Sequence, residues 1–231
     1  MTPQRTRQSY GAAIRDAFAY LLRTRSDVFV IGQGLWSPWY VGNSMTNLDV
    51  EFGRDRIIDS PVSELACTGA AVGAAIAGRR PIVVHPRMDF MLLAVDQIVT
   101  QAAKWSSMFA GKVSAPVVFR GIINRGGEQG AQHSQALHAW FAHVPGLRVV
   151  MPATPVDARD LLVSACLSGD PVVYIDDRWL YNRVGNLPTA PDPRAILRGP
   201  AIVRSGDDVT LVGAGYTAYL VEQAGERLNE D

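Results

Sequence analysis

A chain of 231 residues fits one large domain, or one medium domain with part of a second. With 48% hydrophobic and 19% charged residues it can bury a substantial core, which excludes a disordered tail or a coiled coil. The 22 basic residues balance the 22 acidic ones, so no basic field exists to hold nucleic acid or an anionic membrane, and the expected ligand is a small molecule or another protein.

The opening stretch MTPQRTRQSYG is basic, but Arg15 and Asp16 interrupt the apolar run that a secretory signal would need. Residues 10–23 then place Ala13, Ile14, Ala17, Phe18, Leu21 and Leu22 on one helical stripe. The run DVFVIG, residues 27–32, is short, β-branched and closed by glycine, as a buried parallel strand should be. A further strand ends at Asp59, and PIVVH from Pro81, PVVFRG from Pro116, LRVVMP from Leu147 and PVVYID from Pro171 read the same way. Helix-like stretches fall between them at 63–77, 90–109, 133–141 and 156–167. Alternating strands and helices predict an α/β fold, a mostly parallel sheet with helices on both faces.

The segment 186–200, NLPTAPDPRAILRGP, carries four of the chain's fourteen prolines and reads as a linker after a main domain spanning 1–185. Beyond it, DVTLVG and the following AGYTAYLVEQAGERLNED predict one strand and one helix, the truncated start of a second α/β domain over 201–231. Gly213, Gly215 and Ala218 spell the dinucleotide pattern GxGxxA, yet too few residues follow to supply the second strand and its acid. A glycine-rich turn before a helix is the better reading. Cys67 and Cys166 have no zinc spacing, and both sit in apolar stretches. Free, buried thiols in a reducing cytoplasmic compartment are expected. His133, His138 and His143 are five residues apart, a step of about 140° on a helix, which does not converge on one metal.

The chemistry concentrates in RIIDSPVSELACTGAAVGAAIAG, residues 56–78. Pro61 fixes a turn, Ser63 is placed to cap a helix, and Gly69, Gly73, Ala70, Ala74 and Ala77 leave that helix so little bulk that another backbone can approach it closely. Glu64 projects from its first turn, where a carboxylate can serve as a plain capping acid.

DSPVSE with its Gly/Ala helix, then DFMLLAVDQIVTQAAKW (89–105), then QHSQALHAWFAHVPGLRVVMPATPVDARDLL (132–162), resembles the β subunit of thiamine-diphosphate-dependent 2-oxoacid dehydrogenases. The likeness runs from about Ser9 to Tyr181. It implies a transketolase-like pyrimidine-binding domain over 1–185 and the beginning of a transketolase C-terminal-like domain over 201–231. It further implies that the carboxylate of Glu64 hydrogen-bonds N1′ of the aminopyrimidine and favours the tautomer that removes the thiazolium C2 proton, work for which a carboxylate has to be held out of water. Val62 and Phe90 would complete the pyrimidine pocket, Phe90 by offset stacking. His133, in the HSQ motif after the glycine-rich loop 121–132, would face substrate and steer protons.

The same resemblance implies a structural potassium ion on the main-chain carbonyls of Val117, Ala165, Cys166, Ser168 and Asp170. No GDG motif followed by asparagine occurs here. Mg²⁺ and the diphosphate would therefore be held by an α-type partner, in an α2β2 heterotetramer that could serve a lipoyl acyltransferase. The implied reaction is decarboxylation of a 2-oxoacid with transfer of the activated aldehyde or acyl unit. Transketolase-type or acyloin-forming transfer to an aldehyde, and a non-catalytic scaffold, are the alternatives. The departures matter for the last of these: Gln33 follows Gly32 where the family has an acid, and Val84 replaces another. With His85 and Arg87 nearby, a more cationic pocket suited to an anionic substrate is expected. An aromatic insert, GLWSPWYVGN (34–43), presents Trp36, Trp39 and Tyr40 either to a partner or sugar-like ligand or to its own core.

Overall fold

The computed structural model describes residues 5–125 and 129–228. Six strands form one parallel sheet: β2 (Val28–Gly32), β3 (Ile57–Asp59), β4 (Arg80–His85), β5 (Val118–Ile123), β6 (Arg148–Val150) and β7 (Val172–Asp177). Their order across the sheet is β3-β2-β4-β5-β7-β6. Successive residues of a strand face opposite layers. Ile82, Val84, Val172 and Tyr174 enter one core, whereas Val83, Val173 and Ile175 enter the other. That two-sided burial is why these strands read as continuous apolar runs.

Helices α1 (Tyr10–Thr24) and α6 (Pro155–Leu167) pack on the first face. Ile14, Ala17, Phe18 and Leu21 of α1 are fully buried, as the stripe predicts, and Ser9 caps the helix by accepting from the Ala12 amide. Thr154 and Pro155 start α6 in the same way, the threonine hydroxyl accepting from the Asp157 amide. The second face carries α3 (Glu64–Ile76), a helical stretch over 88–108 and α5 (His138–Ala142). A short α2 (Leu48–Phe52) lies in the connection before β3.

Several elements differ from the sequence expectation. The 88–108 stretch is not one α-helix: it begins with tight three-residue turns over Met88–Ala94, widens over Asp96–Ala102, and becomes α-helical only as α4 (Ala103–Met108). Met88, Met91 and Ala94 are buried at three-residue intervals, the period of the tighter helix. Ser63 precedes α3 but its side chain makes no capping bond. Residues 133–141 hold a single turn ending at His133 and then, after an irregular stretch, α5. Asn186–Pro188, read as linker, belong to β8 (Val184–Pro188), which pairs antiparallel with β1 (Arg5–Ser9). The DVTLVG segment forms no strand, because no neighbouring strand among the described residues offers it hydrogen bonds. Gly215, at φ 56°, is a turn glycine ahead of α7 (Tyr216–Arg227).

At the centre, Arg120 and Asp176 lie fully buried on β5 and β7. Arg120 Nε and Nη2 donate to the two carboxylate oxygens at 2.7 and 2.9 Å, and Nη2 also reaches Ser44 Oγ at 2.8 Å. Tyr181 OH donates to Asp176 at 2.6 Å. Burial alone would lower the guanidinium; the adjoining Asp176 charge more than reverses this and holds it above its ordinary value. No described helix is long and apolar enough to cross a membrane.

Candidate active site

Strand order reverses beside β2, with β3 on one side and β4 on the other. The carboxyl ends of β2 and β4 therefore border the crevice where open α/β sheets take ligands. A cleft lies there, walled by Gly32, Gln33, Glu64, His85, Arg87 and Phe90. Gly32 is required by the approach of the two strands, since a Cβ there would meet the Val84 carbonyl oxygen at 2.3 Å.

Glu64 opens α3 at the lip of this cleft and is half-buried. Cys67, one turn on, also lines it, so this thiol is half-buried rather than fully enclosed. Cys166 is buried in the core, and desolvation pushes its thiol up to about 12. Val62 is mostly exposed and is not among the lining residues. Pro61 and Ser63 on either side of it both line the cleft, and the chain bends at Val62 between them.

His85 is nearly buried, with Nε2 3.5 Å from Thr68 Oγ1 on α3. Burial alone depresses its imidazole to about 4, so it is neutral near pH 7. It adds no charge to the pocket, which corrects part of the expected cationic character. Arg87 supplies the positive charge. Its Nε and Nη2 donate to Gln129 Oε1 at 3.0 and 2.7 Å, Nη1 to the Pro86 carbonyl at 2.8 Å, and the guanidinium stands 5.8 Å from the Tyr40 ring centre.

The aromatic insert folds largely onto its own surroundings. Trp36 Nε1 donates to the Ile57 carbonyl at 2.7 Å while Arg54 covers its ring, and the Tyr40 carbonyl accepts from Arg178. Trp39 projects furthest, 72% exposed.

Phe90 stands edge-on to His133, ring centres 5.1 Å apart and planes at 83°. The two sites expected from separate motifs thus meet. His133 Nδ1 is buried without a hydrogen-bond partner among the described residues. Of the glycine-rich loop before it, residues 126–128 lie outside the described residues. Two residues that sequence reasoning passed over organise this corner: Asp89, buried, and Gln135, whose amide and side chain both donate to it. The signal available was an acid inside the apolar run PRMDFMLL, a place where a carboxylate has to find partners.

A family model described as transketolase, pyrimidine binding domain, matches residues 6–183. This chain belongs to that family. Among its curated relatives, the pyruvate dehydrogenase E1 component subunit beta of Rhizobium meliloti is 39% identical over 93% of the chain and 47% of the relative. From Bacillus subtilis, the 2-oxoisovalerate dehydrogenase subunit beta is 36% identical and the acetoin:2,6-dichlorophenolindophenol oxidoreductase subunit beta 35% identical. Each of these two matches covers 96% of the chain and 68% of the relative. The chain thus spans about half the length of the R. meliloti protein and about two thirds of the B. subtilis ones. A solved split gene transketolase, described as an inactive beta4 tetramer, superposes with a TM-score of 0.59 at 18% identity, covering 74% of the chain and 51% of that structure. That likeness speaks for the fold, the doubly wound sheet of the pyrimidine-binding domain.

Proposed function

We propose that this chain is the pyrimidine-binding β component of a two-chain thiamine-diphosphate enzyme that decarboxylates a 2-oxoacid and transfers the activated aldehyde or acyl unit. One observation carries the reading: a carboxylate, Glu64, and an aromatic face, Phe90, border one cleft at the reversal point of the sheet. These groups fit an aminopyrimidine, which needs a flat apolar contact and a carboxylate on its ring nitrogen. When bound, thiamine diphosphate supplies a thiazolium carbon that takes up the carbonyl carbon of a 2-oxoacid.

This chain's own residues have defined tasks. The Glu64 carboxylate holds a proton shared with the ring nitrogen, Phe90 fixes the ring's plane, and His133, whose Nδ1 has no partner among the described residues, moves a proton on the substrate side. Arg87 favours an anionic substrate at the same wall. Glu64 is half-buried in the chain alone, so the water exclusion its task needs has to come from an apposed surface. The outward face of α3 is suited to that contact: Leu65 is 52% exposed, and nothing lies within 4 Å of a Cβ built at Gly73. The apposed surface belongs to an α-type subunit carrying the GDG and asparagine site for Mg²⁺ and diphosphate, in an α2β2 assembly. A lipoyl acyltransferase is the acceptor if the reaction is oxidative. The family match over 6–183 is in keeping with a first domain that ends near residue 185; 201–231 is read as the start of a second, C-terminal-like domain, and the location as cytoplasmic, on the resemblance alone.

The implied potassium ion does not fit. Arg80 Nη1 donates to the Cys166 and Ser168 carbonyls at 2.7 and 2.8 Å, the Ala165 carbonyl accepts from the Ser168 amide, and that of Val117 accepts from the Val172 amide. A guanidinium thus already takes two of the five implied carbonyls.

Exchange of the C2 proton of bound thiamine diphosphate, followed by NMR in the reconstituted pair, tests the reading. Glu64→Ala should abolish the exchange. Full retention would overturn the catalytic role and leave the scaffold.

A further inference from the structure

Two adjacent residues of the turn after β4 hold two near-adjacent residues of the HSQ segment. Phe90 meets the His133 ring edge-on, and Asp89 Oδ1 accepts from the Gln135 amide at 3.1 Å and from Gln135 Nε2 at 2.8 Å. The segment's other bonds are internal or to loop carbonyls: the His133 amide donates to the Gly130 carbonyl at 3.2 Å, and Ser134 Oγ donates to the carbonyls of Gly130 and Arg125, each at 3.2 Å. Those bonds shape the turn but do not tie it to β4. Arg87 reaches Gln129 Oε1 at the head of the turn, at 3.0 and 2.7 Å; past His133, only the Asp89–Gln135 pair makes such a tie among the bonds described, and the edge-on Phe90–His133 contact by itself is weak.

Asp89 is 4% exposed, and its second oxygen, Oδ2, is buried with no partner among the described residues. A carboxylate left half-satisfied in the interior is a poor stabiliser, so stability does not account for it. Geometry does. The two bonds on Oδ1 fix Gln135, which is two residues from His133, and so set where the imidazole stands relative to Phe90.

We propose that Asp89 is a positioning residue that, through Gln135, sets the His133 imidazole against Phe90 at the substrate side of the cleft. The catalytic consequence rests on the function proposed above; the positioning itself does not. Because a displacement of about 1 Å in a reacting group can cost on the order of a hundredfold in rate, the anchor of His133 matters as much as its chemistry.

The test has two arms. In the full chain alone, the His133 ring protons, assigned by comparison with His133→Gln, should show the ring-current shift of an edge-on neighbour. Asp89→Ala should lose that shift, and Asp89→Asn, whose amide oxygen can still accept from Gln135, should keep it. In the reconstituted two-chain enzyme, Asp89→Ala should lower kcat by roughly tenfold or more with a much smaller change in affinity for thiamine diphosphate, and Asp89→Asn should recover most of the loss. The proposal is overturned if Asp89→Ala keeps the ring-current shift, or if Asp89→Asn loses as much as Asp89→Ala in either arm. Failure of the functional reading is separately visible as C2 exchange that survives Glu64→Ala, an outcome that leaves the ring-current result standing on its own.

Discussion

Arg120 on β5 and Asp176 on β7 meet in a two-point ion pair that solvent does not reach, at 2.7 and 2.9 Å. Such a pair costs much to desolvate, and removing one partner strands the other charge in the core. Asp176→Ala should therefore lower unfolding free energy by roughly 3–5 kcal/mol, read as a shift in the urea midpoint. Replacing both residues with apolar ones should cost less than the single change. Equal or greater loss in the double variant would show that packing around Ser44 and Tyr181, not stranded charge, dominates.

His85 makes a pH-dependent contribution whose sign is fixed by burial. Folding holds its imidazole near 4 against an ordinary 6.5, so below 6.5 the unfolded chain binds a proton that the folded chain refuses. Stability from this group is complete above 6.5 and is lost as pH falls towards 4, by roughly 3 kcal/mol in all. Carboxylates titrate in the same window, so the diagnostic quantity is the difference between the parent and His85→Gln. The parent should lose more stability on acidification; parallel curves would contradict a neutral buried imidazole.

The two thiols should label differently. Cys166 is buried with its thiol pushed up to about 12, and an alkylating reagent at pH 8 should leave it unmodified while the fold is intact. Cys67 on the cleft wall should react, and thiamine diphosphate added with the partner chain should slow it. Mass spectrometry of the labelled peptides reads both. Unchanged labelling of Cys67 in the loaded complex would mean that the ligand binds elsewhere.

Because Arg80 occupies the Cys166 and Ser168 carbonyls, potassium should not stabilise the protein specifically. Melting temperatures in potassium and sodium chloride at equal ionic strength should agree within about 2 °C, whereas Arg80→Met should cost roughly 1–3 kcal/mol by leaving those carbonyls without a donor. A potassium-specific rise in the parent protein would restore the ion to this turn.

How far the sequence disclosed this arrangement depended on whether a signal was local. The α1 stripe and the five apolar runs disclosed their elements because burial on a face imposes a period that can be read one residue at a time. Arg5–Ser9 and Val184–Pro188 gave no such signal: the pair is polar and largely exposed, and each strand exists because the other is there. The stretch over 88–108 has helical composition throughout, and the three-residue burial spacing at Met88, Met91 and Ala94, which ends just ahead of the wider turns, is too short a run to stand out from a period of about 3.6 residues. At the candidate site, Glu64, Phe90 and His133 came from motifs. Asp89 and Gln135 did not, since a bond across that sequence separation leaves no mark in either neighbourhood. Val62 belongs to the pocket by resemblance alone, and no local signal marks the bend at that residue or its exposure.

The stretch between the last core strand and α7 governs handling of the polypeptide. Ile202 and Val212 are each 86% exposed, Val203 is 78% exposed and Val209 61%, on backbone that no described strand pairs. An oily ribbon with free amide and carbonyl groups on its edges is a template for more of itself. Overproduced without companions, the polypeptide should cluster as its concentration rises, and light scattering on dilution would expose this before any turnover is measured.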